Sequence, residues 1–305
     1  MYKIKPHNSS RKNKSIDQKL LGQGSVFLCA VLWSTSGLFI RLVDWNPVVI
    51  FGCRSLIAAV FMFAVRTFFT SGQRPKNKIF PLWAGAVVYS LTMLTFVIAN
   101  KMTTSANAIL LQYSAPIWAA LLGWFLVREK PGWEHWAAIV CIAGEFVLFF
   151  RDGLATGNMA GDIISVISGV LFGANSVFLR MQKDGNPADS MLLSHIISFL
   201  ISVPFIIMYP PVLTASKVLP IVFMGIIQIG CASLLFSYGL KRISAVQSML
   251  TATIEPLLNP VWVLVFTGET PSVLAVSGGA IILSAVLLSS LIGYKRSIKN
   301  KKTVV

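Results

Sequence analysis

Three ionisable side chains, Arg54, Glu145 and Glu255, stand inside otherwise apolar stretches of this 305-residue chain. A charge in such a place is costly, so each needs a partner or a role. Glu255 has the richest surroundings. Gln247, Thr251 and Glu255 recur at helical spacing on one face, with Trp262 slightly rotated from it. Pro256 and Pro260 follow directly. A proline lacks an amide donor and clashes with the carbonyl one turn back. The carbonyls of Ala252 and Pro256 then need other partners, which a polar cavity supplies as water or as a ligand's ammonium group. Pro116 repeats the pattern just after Gln112 and Tyr113. Two broken helices at corresponding places mark a site. Glu255 reads as a cation-binding or protonatable group there; the alternative is a structural carboxyl satisfied by neighbouring amides.

Other residues fit around the same space. Tyr89, Thr92, Phe96 and Asn100 share one helical face. Trp33 and Ser36, Asn175, Gln228, Tyr113 and Trp262 complete an amphipathic pocket. Aromatic walls with a few amides suit zwitterions with apolar side chains. Packing and lipid contact are the competing explanation for each aromatic. Asn175 and Gln228 are stronger candidates, because amides seldom face lipid.

Arg54 lies seven residues in from Pro47, and Glu145 six residues in from Arg151. At 1.5 Å per residue both sit about 10 Å below one boundary. The expectation is a buried structural ion pair, since removing one partner would strand a charge. The alternatives are that Arg54 snorkels outward or that Glu145 meets another group. His195 reads as a hydrogen-bonded residue rather than a proton relay. Gly169-x-x-x-Gly173 and Ser277–Ala280 offer small surfaces for close packing within the bundle or in a dimer.

Several chemistries have no support. There is no phosphate-binding glycine loop and no cluster with metal-ligand spacing, so neither a cofactor nor a metal is expected. No serine, histidine and carboxylate group for hydrolysis. Cys29, Cys53, Cys141 and Cys231 are scattered without paired spacing.

The elements that hold these residues follow from composition. The chain is 55% hydrophobic and 12% charged, with mean hydropathy +0.73. A soluble domain carries about 25% charged residues. The pattern predicts an all-α integral membrane protein. Apolar runs near the 20-residue spanning length give ten helices, at 23–42, 47–69, 79–100, 105–127, 133–150, 161–181, 189–209, 217–240, 246–268 and 272–293. The net charge of +15 comes from 26 Lys and Arg against 11 Asp and Glu. Of the 26, 21 fall at the N-terminal side of the ten-helix array and four at the other side, with Arg54 inside. The positive-inside rule then places both termini in the cytoplasm. The charge marks that membrane face and its anionic lipids rather than nucleic acid.

The halves repeat. A shift of 140 residues brings Lys101 onto Lys241, Pro116 onto Pro256, Glu129 onto Glu269 and Pro131 onto Pro271. A one-residue slip brings Trp33–Arg41 onto Phe172–Arg180. Five spans per unit force the second copy to enter from the opposite side, giving two inverted repeats. The division is a basic tail at 1–21, repeats at 22–151 and 161–293 joined by a linker at 152–160, and a basic tail at 294–305.

The Trp33-Ser34-Thr35-Ser36-Gly37 opening and Arg54 in the second span are joined by Leu111-Gln112-Tyr113-Ser114-Ala115-Pro116 and Arg128-Glu129-Lys130-Pro131. Ile254-Glu255-Pro256-Leu257-Leu258-Asn259-Pro260 and Gly268-Glu269-Thr270-Pro271 complete the set. Together they resemble the EamA-like family of the drug/metabolite transporter superfamily, over about residues 22–293. The resemblance implies two five-helix bundles around a central cavity walled by spans 1, 3, 4, 6, 8 and 9. It also implies export of amino acids or similar metabolites. Two departures are Arg128, where a small residue often stands, and Glu145, in a fifth span that is usually apolar. The expected protein is therefore a non-enzymatic secondary transporter of the inner membrane, monomeric or dimeric, with a small-molecule substrate and proton or ion coupling. Uptake or exchange of sugar- or nucleotide-linked solutes is the alternative within transport, and a membrane enzyme acting on lipid-linked substrates the alternative outside it.

Overall fold

The computed structural model describes residues 9–68, 77–103, 105–153 and 159–267, with isolated positions at 284, 285, 288, 289 and 292. Every expected span up to 246–268 is helical; the tenth, 272–293, and its Ser277–Ala280 surface lie outside the described residues. The first span is α1 (Ser9–Trp33) and α2 (Ser36–Leu42), the second α3 (Pro47–Phe68), the third α4 (Ile79–Met102). The fourth is α5 (Ser105–Gln112), α6 (Ala115–Leu122) and a π-helical stretch, Gly123–Val127. Then come α7 (Trp133–Gly153), α8 (Met159–Arg180) and α9 (Pro187–Met208). The eighth span is α10 (Ala215–Phe223), a second π stretch (Met224–Cys231) and α11 (Ala232–Leu240), and the ninth α12 (Ala245–Ala252) and α13 (Ile254–Thr267). Six of these segments are long and apolar enough to cross a membrane. Side chains such as Phe63, Phe125, Leu200 and Ile207 point outward, where lipid is their solvent.

The breaks have local causes. Pro116 cannot donate to the Gln112 carbonyl, and Pro256 cannot donate to that of Ala252. The chain accordingly turns at Tyr113–Ser114 and at Thr253, places one repeat apart. The first span breaks at Ser34–Thr35 without a proline. There the Ser34 and Thr35 hydroxyls donate to Val31 and Leu32 carbonyls at 2.6 and 2.8 Å. Such local bonds compete with the helical ladder.

The halves pack through small residues. A Cβ on Gly173 would stand 2.7 Å from the Ala115 carbonyl and 2.7 Å from Trp118 Cβ. One on Gly169 would stand 2.7 Å from the Gln112 carbonyl. The Gly169–Gly173 stripe is thus used inside the bundle, against the break in the fourth span. Serines run through the adjoining contacts. Ser90 and Ser198 meet at 2.9 Å, and Ser198 also donates to the Ser194 carbonyl at 2.7 Å. Ser168 donates to the Thr92 carbonyl at 3.2 Å, and Ser190 to that of Leu82 at 2.8 Å.

The inverted repeat is visible in hydrogen bonds on opposite faces. Arg41 donates to the carbonyls of Asn100 (3.4 Å) and Thr103 (2.8 Å) at the end of α4. Its counterpart Arg180 donates to that of Leu240 at the end of α11, at 2.8 Å. Lys101 donates to the Val43 carbonyl at 2.7 Å, and Lys241 to that of Gly185 at 2.9 Å. In each half a basic residue meets the carbonyl-rich end of a helix, as the helix dipole favours.

Candidate functional site

The central cavity is small, about 20 Å³, room for about one water molecule. Its walls come from every span that the resemblance implied. Trp33 belongs to α1 and Ser36 to α2, across the break in the first span. Met93 and Phe96 come from α4, Gln112 from α5 and Phe172 from α8. Gln228 projects from the second π stretch and Glu255 from the first turn of α13. π turns recur at functional positions. One further wall lies outside the implied set: Arg54, from the second span, opens into the same space. The side chain of the expected partner, Glu145, lies outside the described residues, and the expected pair with it.

Of the eight candidate site residues, Trp33, Gln112, Gln228 and Glu255 line the cavity. Tyr113 lies immediately behind Glu255. Its hydroxyl is 2.5 Å from Glu255 Oε2 and 2.7 Å from the Ala252 carbonyl oxygen. That carbonyl is the one freed by Pro256. A protein side chain fills the role expected of water or a ligand.

Tyr89, Asn175 and Trp262 are not cavity-lining. Tyr89 packs edge-on against His195, with ring centroids 5.6 Å apart. His195 lies 3.3 Å from Ser233 Oγ. Asn175 is fully buried, and its amide has no partner among the described residues. Trp262 donates to Ser34 Oγ at 2.7 Å, tying the ninth span to the break in the first. Gln247 likewise serves its own helix, completing a capping box with Ser244 at the start of α12.

The remaining geometry concerns positioning. The Gln112 amide donates to Ser168 Oγ at 2.8 Å, which fixes the fourth span to the sixth. Trp33 meets Phe172 edge-on, with centroids 5.4 Å apart, and Phe236 at 5.0 Å. Polar atoms without partners among the described residues gather on this cavity. They are Trp33 Nε1, Ser36 Oγ, Arg54 Nε and Gln228 Oε1. Buried polar atoms are nearly always paired, so such a cluster is a place prepared for something polar. No group of three or more His, Cys, Asp or Glu among the described residues is placed to hold a metal.

An apolar helical array with interrupted spans around a small cavity of mixed polar and apolar lining is the architecture of a multi-pass membrane protein. The model of the EamA-like transporter family matches residues 20–151 and 159–291, and the chain belongs to that family. It is 25% identical over 272 residues to an uncharacterized transporter of Archaeoglobus fulgidus, covering 88% of this chain and 96% of that one. It is 23% identical over 275 residues to a probable terminal-alkyne amino-acid exporter of Streptantibioticus cattleyicolor, covering 87% and 91%. A solved crystal structure shares the fold with a TM-score of 0.73 at 20% identity, covering 90% of this chain and 97% of that one.

Proposed function

We propose that the chain is a secondary exporter of amino acids or related small metabolites, working by alternating access in the plasma membrane with both termini cytoplasmic. Trp33, Gln112, Gln228 and Glu255 form its binding site, Tyr113 positions Glu255, and Tyr89, Asn175 and Trp262 support the walls. The arrangement of Tyr113, Glu255 and Ala252 carries the reading. A phenol has one proton to donate. If it goes to the Ala252 carbonyl, the contact with Glu255 is satisfied only by a proton on the carboxyl. The proposed cycle starts from that arrangement, with a protonated Glu255 donating to the Tyr113 oxygen and Tyr113 donating to Ala252. An ammonium group entering from one side of the membrane displaces that proton, and return of the proton releases the solute. The similarity to an amino-acid exporter supports the substrate class.

The test is counterflow of radiolabelled leucine and phenylalanine in proteoliposomes of the purified protein, with and without a pH gradient. Saturable exchange that the gradient accelerates is the expected result. Absence of exchange for a broad amino-acid panel overturns the substrate class. Exchange indifferent to the gradient overturns the coupling.

A further inference from the structure

Arg54 is not used in that reading, and its surroundings are unusual. The side chain is 1% exposed and among the largest fully buried groups. A guanidinium carries five N–H donors and keeps its charge. Among the described residues its side chain makes one polar contact, from Nη2 to the thioether sulfur of Met93 at 3.8 Å. A thioether is a weak acceptor. Nε has no partner there. Yet Arg54 opens into the cavity that holds Glu255, beside Gln228, Ser36 and Trp33, which also carry unpartnered polar atoms.

The backbone around it is held closely. A Cβ on Gly225 would stand 3.0 Å from the Arg54 carbonyl oxygen. One on Gly52 would collide with Ser202 of α9. The second span is therefore seated against the seventh and the eighth at the turn that presents Arg54. A fixed fork of donors beside a small cavity is suited to a planar, two-oxygen anion.

We propose that Arg54 binds the carboxylate of the transported solute. The proposal rests on the amino-acid reading above for the ammonium end, and it narrows the substrate class to compounds that carry a free carboxylate. Gln228 and Ser36 flank the same oxygens, and Trp33 and Phe172 receive the apolar part.

The test uses purified full-length protein and four probes: L-phenylalanine, L-phenylalaninamide, N-acetyl-L-phenylalanine and phenethylamine. Ligand-induced thermal shift and inhibition of phenylalanine counterflow are read for wild type, Arg54→Lys and Arg54→Met. In wild type the free amino acid is expected to bind and the amide and the amine to fail. Arg54→Met is expected to lose about tenfold or more in apparent affinity for the acid, the value of one charge-assisted hydrogen bond, with Arg54→Lys between the two. A structural role alone would lower stability without changing the preference for acid over amide. Equal binding of acid and amide in wild type, or an unchanged preference in a folded Arg54 variant, overturns the proposal. Binding of N-acetyl-L-phenylalanine without the free amino acid, abolished by Arg54→Met, overturns the amino-acid reading and upholds Arg54. Binding of none of the four probes overturns both.

Discussion

The two halves agree at their edges and differ at their centre. Corresponding basic residues donate to main-chain carbonyls on opposite faces, Arg41 and Lys101 on one, Arg180 and Lys241 on the other. Corresponding prolines break the fourth and ninth spans. Around the cavity the aromatic pair Trp33 and Phe172 repeats, but the charged groups do not. The residue 140 positions before Glu255 is Ala115, and the one 140 positions after Arg54 is Ser194. The first span is broken, whereas its counterpart α8 runs unbroken through Gly173–Ala174. The eighth span carries a π stretch, whereas its counterpart α4 is regular. Repetition supplies the frame, and departure from repetition supplies the charged groups of the proposed site.

The strongest test of that division acts on the unmatched acid. Glu255→Gln is expected to reduce amino-acid counterflow about tenfold or more, since hydrogen bonds to charged groups are worth about 1.5–3 kcal/mol. It should also remove acceleration by a pH gradient. Unchanged flux with unchanged pH response would mean that the asymmetric centre is packing alone.

A second test acts on the unbroken counterpart of the Ser34 break. Gly173→Leu drives a side chain into Ala115 and Trp118 of the other half. Overpacking of this kind costs about 1–3 kcal/mol, visible as a lower unfolding temperature in detergent. A neutral outcome would show that the halves are less closely fitted than these distances require.

A smaller effect is expected at the turn after the fourth span. Arg128 adopts a left-handed conformation, φ 57°, and caps the π stretch by donating its amide to the Gly123 carbonyl. Gly268 stands at the corresponding place in the other half. A left-handed non-glycine residue costs about 1–2 kcal/mol, so Arg128→Gly is expected to raise the unfolding temperature slightly. A decrease would assign the arginine side chain a compensating contact.

The smallest effect concerns Asp44, which lies between the first two spans. Lys217 donates to it at 2.7 Å and holds its carboxyl below the usual carboxylate range. Its contribution is present above that range and fades as pH falls through the lowered value. The difference in unfolding temperature between wild type and Asp44→Asn should shrink as the pH is lowered in this way. A gap that widens in acid would reverse the assigned sign.

Much of this frame was legible in the sequence because it depends on local rules. Apolar run lengths marked the spans, proline spacing marked two breaks, and one offset exposed the repeat. Gln228 and Glu255 stood out because amides and acids are rare in lipid; the same rule singled out Asn175, which lies off the cavity, whereas Gln112 was marked by the proline that follows it. The setting of Arg54 was not legible. Counting residues from Pro47 gives its depth, but which way the helix is rotated depends on Gly52 meeting Ser202 and Gly225 meeting the Arg54 carbonyl. Those are contacts between distant segments. The same holds for Tyr113 reaching Ala252, and for Trp262 reaching Ser34 across 228 residues. The Ser34 break itself has no proline to announce it.

The serines between the halves have a mechanical consequence. Ser198 touches Ser90 on the neighbouring helix and also the carbonyl of Ser194 on its own. Its hydroxyl can give up the first contact and keep the second. A helical serine can make such a bond to the carbonyl one turn back. With Ser198 donating to its own helix, Ser90 is the donor across the contact, and if the two part only the Ser90 hydroxyl has to turn back onto its own backbone. In the proposed alternating-access cycle this seam is the bearing, its hydroxyls exchanging cross-helix contacts for bonds to their own backbone.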